Sequence, residues 1–463
     1  MNYFSYTVIS NLVSLIISTL VVIIIPKLIG VKEYGYWQLY FFYTSYLGFF
    51  NVGWVEGIYL RYGGQEYNEL NKDLFTSQFW LFYLYIIITG SLILIYSLFN
   101  MVDFDKQFIL QMVSICLVVS IPRSFLLYVL QSTNRIGEYS KLTLYDRIIY
   151  CVVILIMLLF GNREYKQLIL ADLIGKTVTF FGVLYFCKEI VFAKWVPLKE
   201  NFKEMLINIS VGIKLLFANL ASILIIGIIR FGIERSWGIS VFGKVSLSLS
   251  VSNFLMLFIN AIGIVLFPIL KRTDVKKLSN IYEIMRTFLM VPLFGILILY
   301  YPLKITLSMW LPQYLDSLKY MALLFPMCVY EGKMALLINT YLKTLRKEKL
   351  MLIINSISLV ISIIITFITT SLFNNLDWAI VSIIFVLAFK CILAELILSK
   401  IIERNVYKDI VLEVILTLTF IFIGWFLNSW VNIIIYGSTY GIYLVMKRND
   451  ITKTLHSFKV ISK

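Results

Sequence analysis

Apolar residues in this chain come in long runs separated by short polar breaks. A bilayer core takes roughly 20 apolar residues as a helix. Fourteen runs reach that class: 5–29, 36–60, 75–99, 108–132, 143–160, 167–187, 207–231, 240–268, 284–302, 317–342, 350–372, 377–400, 410–428 and 430–446. They predict an all-α polytopic membrane protein with about 14 transmembrane helices. No polar stretch is long enough for a soluble domain. The first run lacks a basic start, outlasts a signal peptide and is followed by no small-residue cleavage site, so it is expected to be retained.

Composition adds one fact to this pattern. The 463 residues carry 41 Lys and Arg against 26 acids, a net charge of +15. In a soluble protein that surplus would suggest nucleic acid; here loop asymmetry accounts for it. With the N-terminus inside and run-end residues counted with their loops, cytoplasmic loops and tail hold 26 Lys/Arg and external loops 9. The positive-inside rule then puts both termini in the cytoplasm and favours an even number of spans.

The longest basic break, 188–206, carries Lys188, Lys194, Lys199 and Lys203. It follows the sixth run and reads as a cytoplasmic linker between two halves, with charge suited to anionic lipid headgroups. A weak repeat supports the division. Gly30-Val31-Lys32-Glu33-Tyr34-Gly35 follows run 1 and Gly238-Ile239-Ser240-Val241-Phe242-Gly243 follows run 7; both read Gly-x-x-x-aromatic-Gly. Six runs separate them, so the halves cross in the same sense, and their pseudo-two-fold lies along the membrane normal. The expected organisation is a six-helix lobe over 1–187, the linker 188–206, a second six-helix lobe over 207–400, and helices 13–14 with a basic tail over 401–463. Duplicated lobes of this kind suit alternating access, with Pro26, Pro122, Pro268, Pro292 and Pro326 as kink points.

Several chemistries drop out. Cys116, Cys151, Cys187, Cys328 and Cys391 lie in or at the ends of apolar runs without a CxxC pair, so neither a disulfide nor a metal framework is expected. The single histidine, His456, lies in the tail, and no P-loop occurs. No cofactor is implied.

Charge inside the runs carries the candidate chemistry, because a charged side chain at mid-bilayer costs at least ~2.5 kcal/mol and normally faces a cavity or a partner. The cations are Arg123, Lys176, Lys214, Lys244, Lys333 and Lys390, with Arg61 and Arg230 at run ends; the acids are Glu56, Asp172, Glu331 and Glu395. Six cations against four acids predict a surplus lining a water-filled cavity suited to an anion. Lys176 and Lys390 sit near the middle of equivalent runs in the two halves. Arg123 follows Pro122 and leads the set, since a guanidinium donates two parallel hydrogen bonds to a phosphate. Lys244 is close enough to its run end to snorkel. The abundant aromatic residues near run ends, Trp37 and Tyr40 among them, fit an interfacial belt.

Three stretches resemble a known family: Gly30-x-x-x-Tyr34-Gly35-Tyr36-Trp37, the run Glu56-Gly57-Ile58-Tyr59-Leu60-Arg61-Tyr62-Gly63-Gly64, and Gln131 with Asn134-Arg135. They look like the bacterial polysaccharide flippases of the multidrug/oligosaccharidyl-lipid/polysaccharide exporter superfamily, many of which carry Asp where this chain has Glu56. The resemblance implies a cell-membrane protein that flips an undecaprenyl-pyrophosphate-linked oligosaccharide repeat unit outward, beside membrane lipids and polysaccharide polymerase machinery. It makes Arg123, Lys214, Lys176, Lys333, Lys390 and Arg61 candidate pyrophosphate contacts, and Glu56, Asp172, Glu331 and Glu395 candidate coupling or gating acids. Two other readings stand beside it: a cation-coupled multidrug antiporter of the same superfamily, and a membrane enzyme of polysaccharide assembly. An antiporter for cationic drugs needs an acidic site, against the cationic surplus. The enzyme generally needs a large external loop, and the longest external gap, 303–316, is short.

Overall fold

The computed structural model describes the backbone of residues 17, 21–100, 103–133, 135–272, 275–427 and 431–461; most side chains between 254 and 280 lie outside the description. The expected first span, 5–29, falls mostly outside it, as does the side chain of Pro268. Among the described residues every regular element is helical. Ten helices among the described residues are long and apolar enough to cross a membrane. The chain is an all-α polytopic membrane protein.

Two compact units form, Met1–Leu220 and Ala221–Lys463. The boundary falls inside the seventh apolar run rather than at the basic linker. That linker is not a free hinge. Lys188–Val191 is a short helix with Ile190 and Val191 buried, and helix resumes at Leu198. Three side chains of the helix Lys72–Asn100 hold the stretch of backbone between them: Trp80 Nε1 donates to the Val191 carbonyl at 2.9 Å, while Ser77 Oγ and Asp73 Oδ1 accept from the Val196 and Lys194 amides. Lys188, Lys194, Lys199 and Lys203 stay exposed. At the near end Lys72 pairs with Glu189, and that hydrogen bond and charge hold the Glu189 carboxyl below its ordinary range.

Unit 1 is built on the antiparallel neighbours Lys72–Asn100 and Phe104–Ser132, with Ile136–Leu159 and Tyr165–Phe186 beside them. Phe79, Phe82 and Phe125 are fully buried at their centre. The second apolar run, expected as one helix over 36–60, is broken. Val31–Thr44 is followed by a 3-10 turn at Leu47–Asn51, a left-handed pair at Val52 and Gly53 (φ 55° and 85°), and the helix Trp54–Tyr62. No proline causes this. Asn51 does: its Oδ1 accepts from the Gly53 amide at 2.7 Å, competing with the helix for the backbone. The break lets two backbones touch. A Cβ on Gly57 would strike the carbonyl of Asn208, and one on Gly212 would strike the carbonyl of Gly53.

Both first glycines of the repeat stand at helix discontinuities. Gly30 is the extended N-cap of Val31–Thr44, and Gly238 (φ 77°, ψ −177°) interrupts the helical run Leu198–Arg272. In unit 2 the tenth apolar run becomes Met321–Leu324, a step at Pro326, Met327–Lys333, a π-turn Met334–Ile338 and Asn339–Thr344. It is the most enclosed of the candidate spans. Pro122 and Pro292, by contrast, sit inside continuous helices. Part of the expected external gap at 303–316 is also helix, Tyr300–Trp310 followed by a 3-10 turn at Pro312–Tyr314.

Candidate functional site

Unit 1 carries three small polar constellations. Arg123, on Phe104–Ser132, donates from Nη1 to Thr179 Oγ1 at 2.7 Å and pairs with Asp146 at 3.1 Å, while its buried Nε finds no hydrogen-bond partner. Lys176 reaches Asp172 one turn earlier on its own helix at 2.5 Å, and Tyr40 donates to the same carboxylate at 2.7 Å. Arg61 pairs with Glu204 and bonds Asn208 on the facing helix, with Tyr62 also donating to Glu204. Beside them Glu56 is buried in the first turn after the broken helix. Its Oε1 accepts from Asn51 at 3.2 Å and its Oε2 has no partner. Among the described residues no cation pairs with it.

Unit 2 concentrates charge more densely. Arg286 on Val275–Ile296 pairs with Glu395 at 2.8 Å, Glu413 at 2.6 Å and Asp409 at 2.9 Å. Lys333 lies between Glu395 and Glu413, and Tyr282 donates to Glu395 at 2.9 Å. All these groups except Asp409 are almost wholly buried. Four helices converge to make the cluster, each contributing one or two residues. A few residues away, Lys390 donates to Ser222 at 3.0 Å and approaches Glu331 at 3.8 Å.

The structure therefore brings the predicted residues together as local ion pairs. Lys333 meets Glu395, Lys176 meets Asp172 and Lys390 meets Glu331. Even Lys244 finds Asp316, at 3.5 Å. The expected cationic surplus within the spans is corrected: of the six cations only Lys214 is without an ion-pair partner among the described residues, and it is exposed. The surplus arose because partner acids stand near the ends of apolar runs. Asp146 lies three residues into the fifth run and Glu413 three into the thirteenth, where both read as interfacial. Arg286 likewise stands at a run end that counts with its loop, yet among the described residues it is the most connected cation in unit 2. Its signal was the pair of acids four apart, Asp409 and Glu413, at the start of an apolar helix. No site for a metal forms from three or more His, Cys, Asp or Glu among the described residues.

No known sequence family matches the chain, and no curated protein does. Solved structures do. The lipid II flippase MurJ in an inward closed conformation superposes with a TM-score of 0.64 over 97% of this chain and 99% of its own, at 14% identity. An inward-facing multidrug resistance MATE transporter of the MOP superfamily gives 0.60 over 85% of this chain and 98% of its own, at 12% identity. The MATE transporter VcmN of Vibrio cholerae, crystallised as a point mutant, gives 0.56 over 88% and 97%, at 13% identity. The chain thus has the fold shared by MurJ and the MATE transporters.

Proposed function

We propose that this protein is a transporter that moves an undecaprenyl-pyrophosphate-linked oligosaccharide from the cytoplasmic to the outer leaflet of a bacterial cell membrane by alternating access. It would serve cell-surface polysaccharide assembly and need no cofactor. One observation carries the choice of a lipid-linked substrate: the likeness to the lipid II flippase runs over 97% of the chain, whereas the MATE likenesses quoted above leave 12–15% of it unmatched. Arg123 supports an anionic ligand, since it keeps a buried donor free beside its pair with Asp146. Exposed Lys214, without an ion-pair partner among the described residues, supplies a second positive charge. Carrying about two negative charges outward from a negative interior gains up to ~4–5 kcal/mol per 100 mV.

A cation-coupled multidrug antiporter is the second reading, favoured by Glu56, a buried carboxylate with no cationic partner among the described residues. The same residue serves the first reading as a coupling group, with Asp172, Glu331 and Glu395 as further candidates already neutralised by lysine. An enzyme of polysaccharide assembly has no feature of its own in its favour.

The test is reconstitution into liposomes with a fluorescent undecaprenyl-pyrophosphate oligosaccharide, its transfer between leaflets read by quenching. Protein-dependent transfer, lost in Arg123→Ala, is expected. No lipid transfer, together with proton- or sodium-driven movement of a cationic dye, would hand the protein to the antiporter reading.

A further inference from the structure

Among the described side chains the buried cluster of unit 2 does not balance its own charge. Its inner members are Arg286 and Lys333 against Asp409, Glu395 and Glu413, two cations facing three carboxylates. The missing positive charge comes from Lys447, at the junction between the helix Val431–Met446 and the terminal helix Arg448–Ile461. Its ammonium pairs with Asp409 and, at 2.8 Å, with Asp450. Exposure rises along this series: Glu413 is 4% accessible, Asp409 22% and Asp450 45%. Lys447 is thus a plug at the solvent end of an otherwise enclosed anionic set.

Among the described side chains the other ionisable groups near the cluster do not alter the count, since Glu331 is matched by Lys390. Tyr282, Tyr330, Tyr443 and Cys391 are neutral near pH 7, and Arg404 pairs with the exposed Glu283. Buried net charge is costly unless neutralised. Withdrawing Lys447 would therefore leave three carboxylates against two cations, in a set that is almost wholly buried except at Asp409. Glu413 Oε1 is a natural place for neutralisation. It is ion-paired with Arg286 Nη2 at 2.6 Å but makes no hydrogen bond, and Asp409, which loses Lys447, stands one helical turn away. Among the described residues no three carboxylates group as metal ligands, and a proton is the smallest cation that restores neutrality.

We propose that the Asp409–Glu413 end of this cluster is a proton-binding site, and that Lys447 is its tethered substitute cation. With Lys447 seated, all three carboxylates are ionised and the site is closed. With Lys447 withdrawn, the cluster takes one proton, and reseating the lysine expels it. The site goes beyond the transport reading and does not depend on which substrate is carried.

The experiment uses purified full-length protein in lipid nanodiscs at pH 7, with protonated carboxyl groups counted by their infrared C=O band and sodium binding read with radioactive sodium ion. Lys447→Gln is expected to show one more protonated carboxyl than wild type. Lys447→Arg, which keeps the charge, is expected to show none extra. Asp409→Asn combined with Lys447→Gln restores neutrality and is also expected to show none extra; it should regain any stability that Lys447→Gln loses, so a poorly folding single variant still gives a result. An unchanged band in Lys447→Gln would overturn the proposal, as would a gain in Lys447→Arg. Stoichiometric sodium binding in place of a new carboxyl band would overturn the proton assignment.

Discussion

Replacing Arg286 with methionine keeps most of the apolar stem of the side chain and removes the guanidinium with its charge and donors. Three ion pairs go at once, to Glu395, Glu413 and Asp409. Lys333 and Lys447 remain, so three carboxylates are left with two cations in a site where Glu395 is fully buried. Removing one member of a buried ionic set costs about 3–5 kcal/mol, chiefly because the partners stay desolvated without compensation. Against a total stability of ~5–15 kcal/mol typical of folded proteins, that is a substantial share. Denaturant titration of the purified protein in mixed micelles should show the loss. Arg286→Met combined with Glu413→Gln removes one charge of each sign, and the double variant should recover ~1–3 kcal/mol relative to additivity, the range of coupling seen for residues in direct contact. A loss under ~1 kcal/mol in the single variant, or strict additivity in the double, would show that the cluster is not the desolvated network the distances describe.

Other perturbations probe other parts. Gly57→Ala places a methyl group on the Asn208 carbonyl and is expected to destabilise by ~1–3 kcal/mol through overpacking; an unchanged melting temperature would refute the backbone contact. Arg123→Ala and Lys214→Ala are each expected to abolish export while protein level and insertion stay normal, and full export in both would sink the idea of a cationic substrate contact. Cysteines placed singly in 188–206 should react only with reagents supplied from the cytoplasm, since external labelling contradicts the charge-derived topology. For Lys72 and Glu189 the sign follows from a depressed carboxyl: the tie is present above the ordinary Glu value of about 4.3 and is lost as pH falls through the lowered one. Proteolytic nicking of 192–197 should therefore rise in acid, and in Lys72→Met it should lose that pH dependence.

Apolar run length gave the fold class and most helix positions, because the bilayer forces backbone groups to pair within each segment. It could not show where a helix breaks without proline. The Val52–Gly53 interruption depends on Asn51 turning back onto the backbone, and on Gly57 meeting a helix some 150 residues away. Charges deep in the runs were legible: Arg123, Lys176, Lys333, Lys390 and Glu395 are all enclosed. Their partners were not, because Asp146, Glu413 and Arg286 stand where a hydropathy reading cannot separate an interfacial residue from one facing the interior. Pairing is a property of three-dimensional neighbours, so a surplus counted along the chain vanished once the neighbours were known.

The meeting of Gly57 with Asn208 also sets an order of events during synthesis. Arg61 finds Glu204 and Asn208, and Gly53 and Gly57 find the backbone at 208–213, only after roughly 150 further residues have been made. At ~5–20 residues per second, the helix Trp54–Tyr62 waits about 7–30 seconds beside the insertion machinery with a guanidinium and a glycine face uncovered. During that interval it is a target for membrane chaperones and quality-control proteases. A ribosome pausing before residue 204 would leave a half-built lobe that is already inserted and still marked as unfinished.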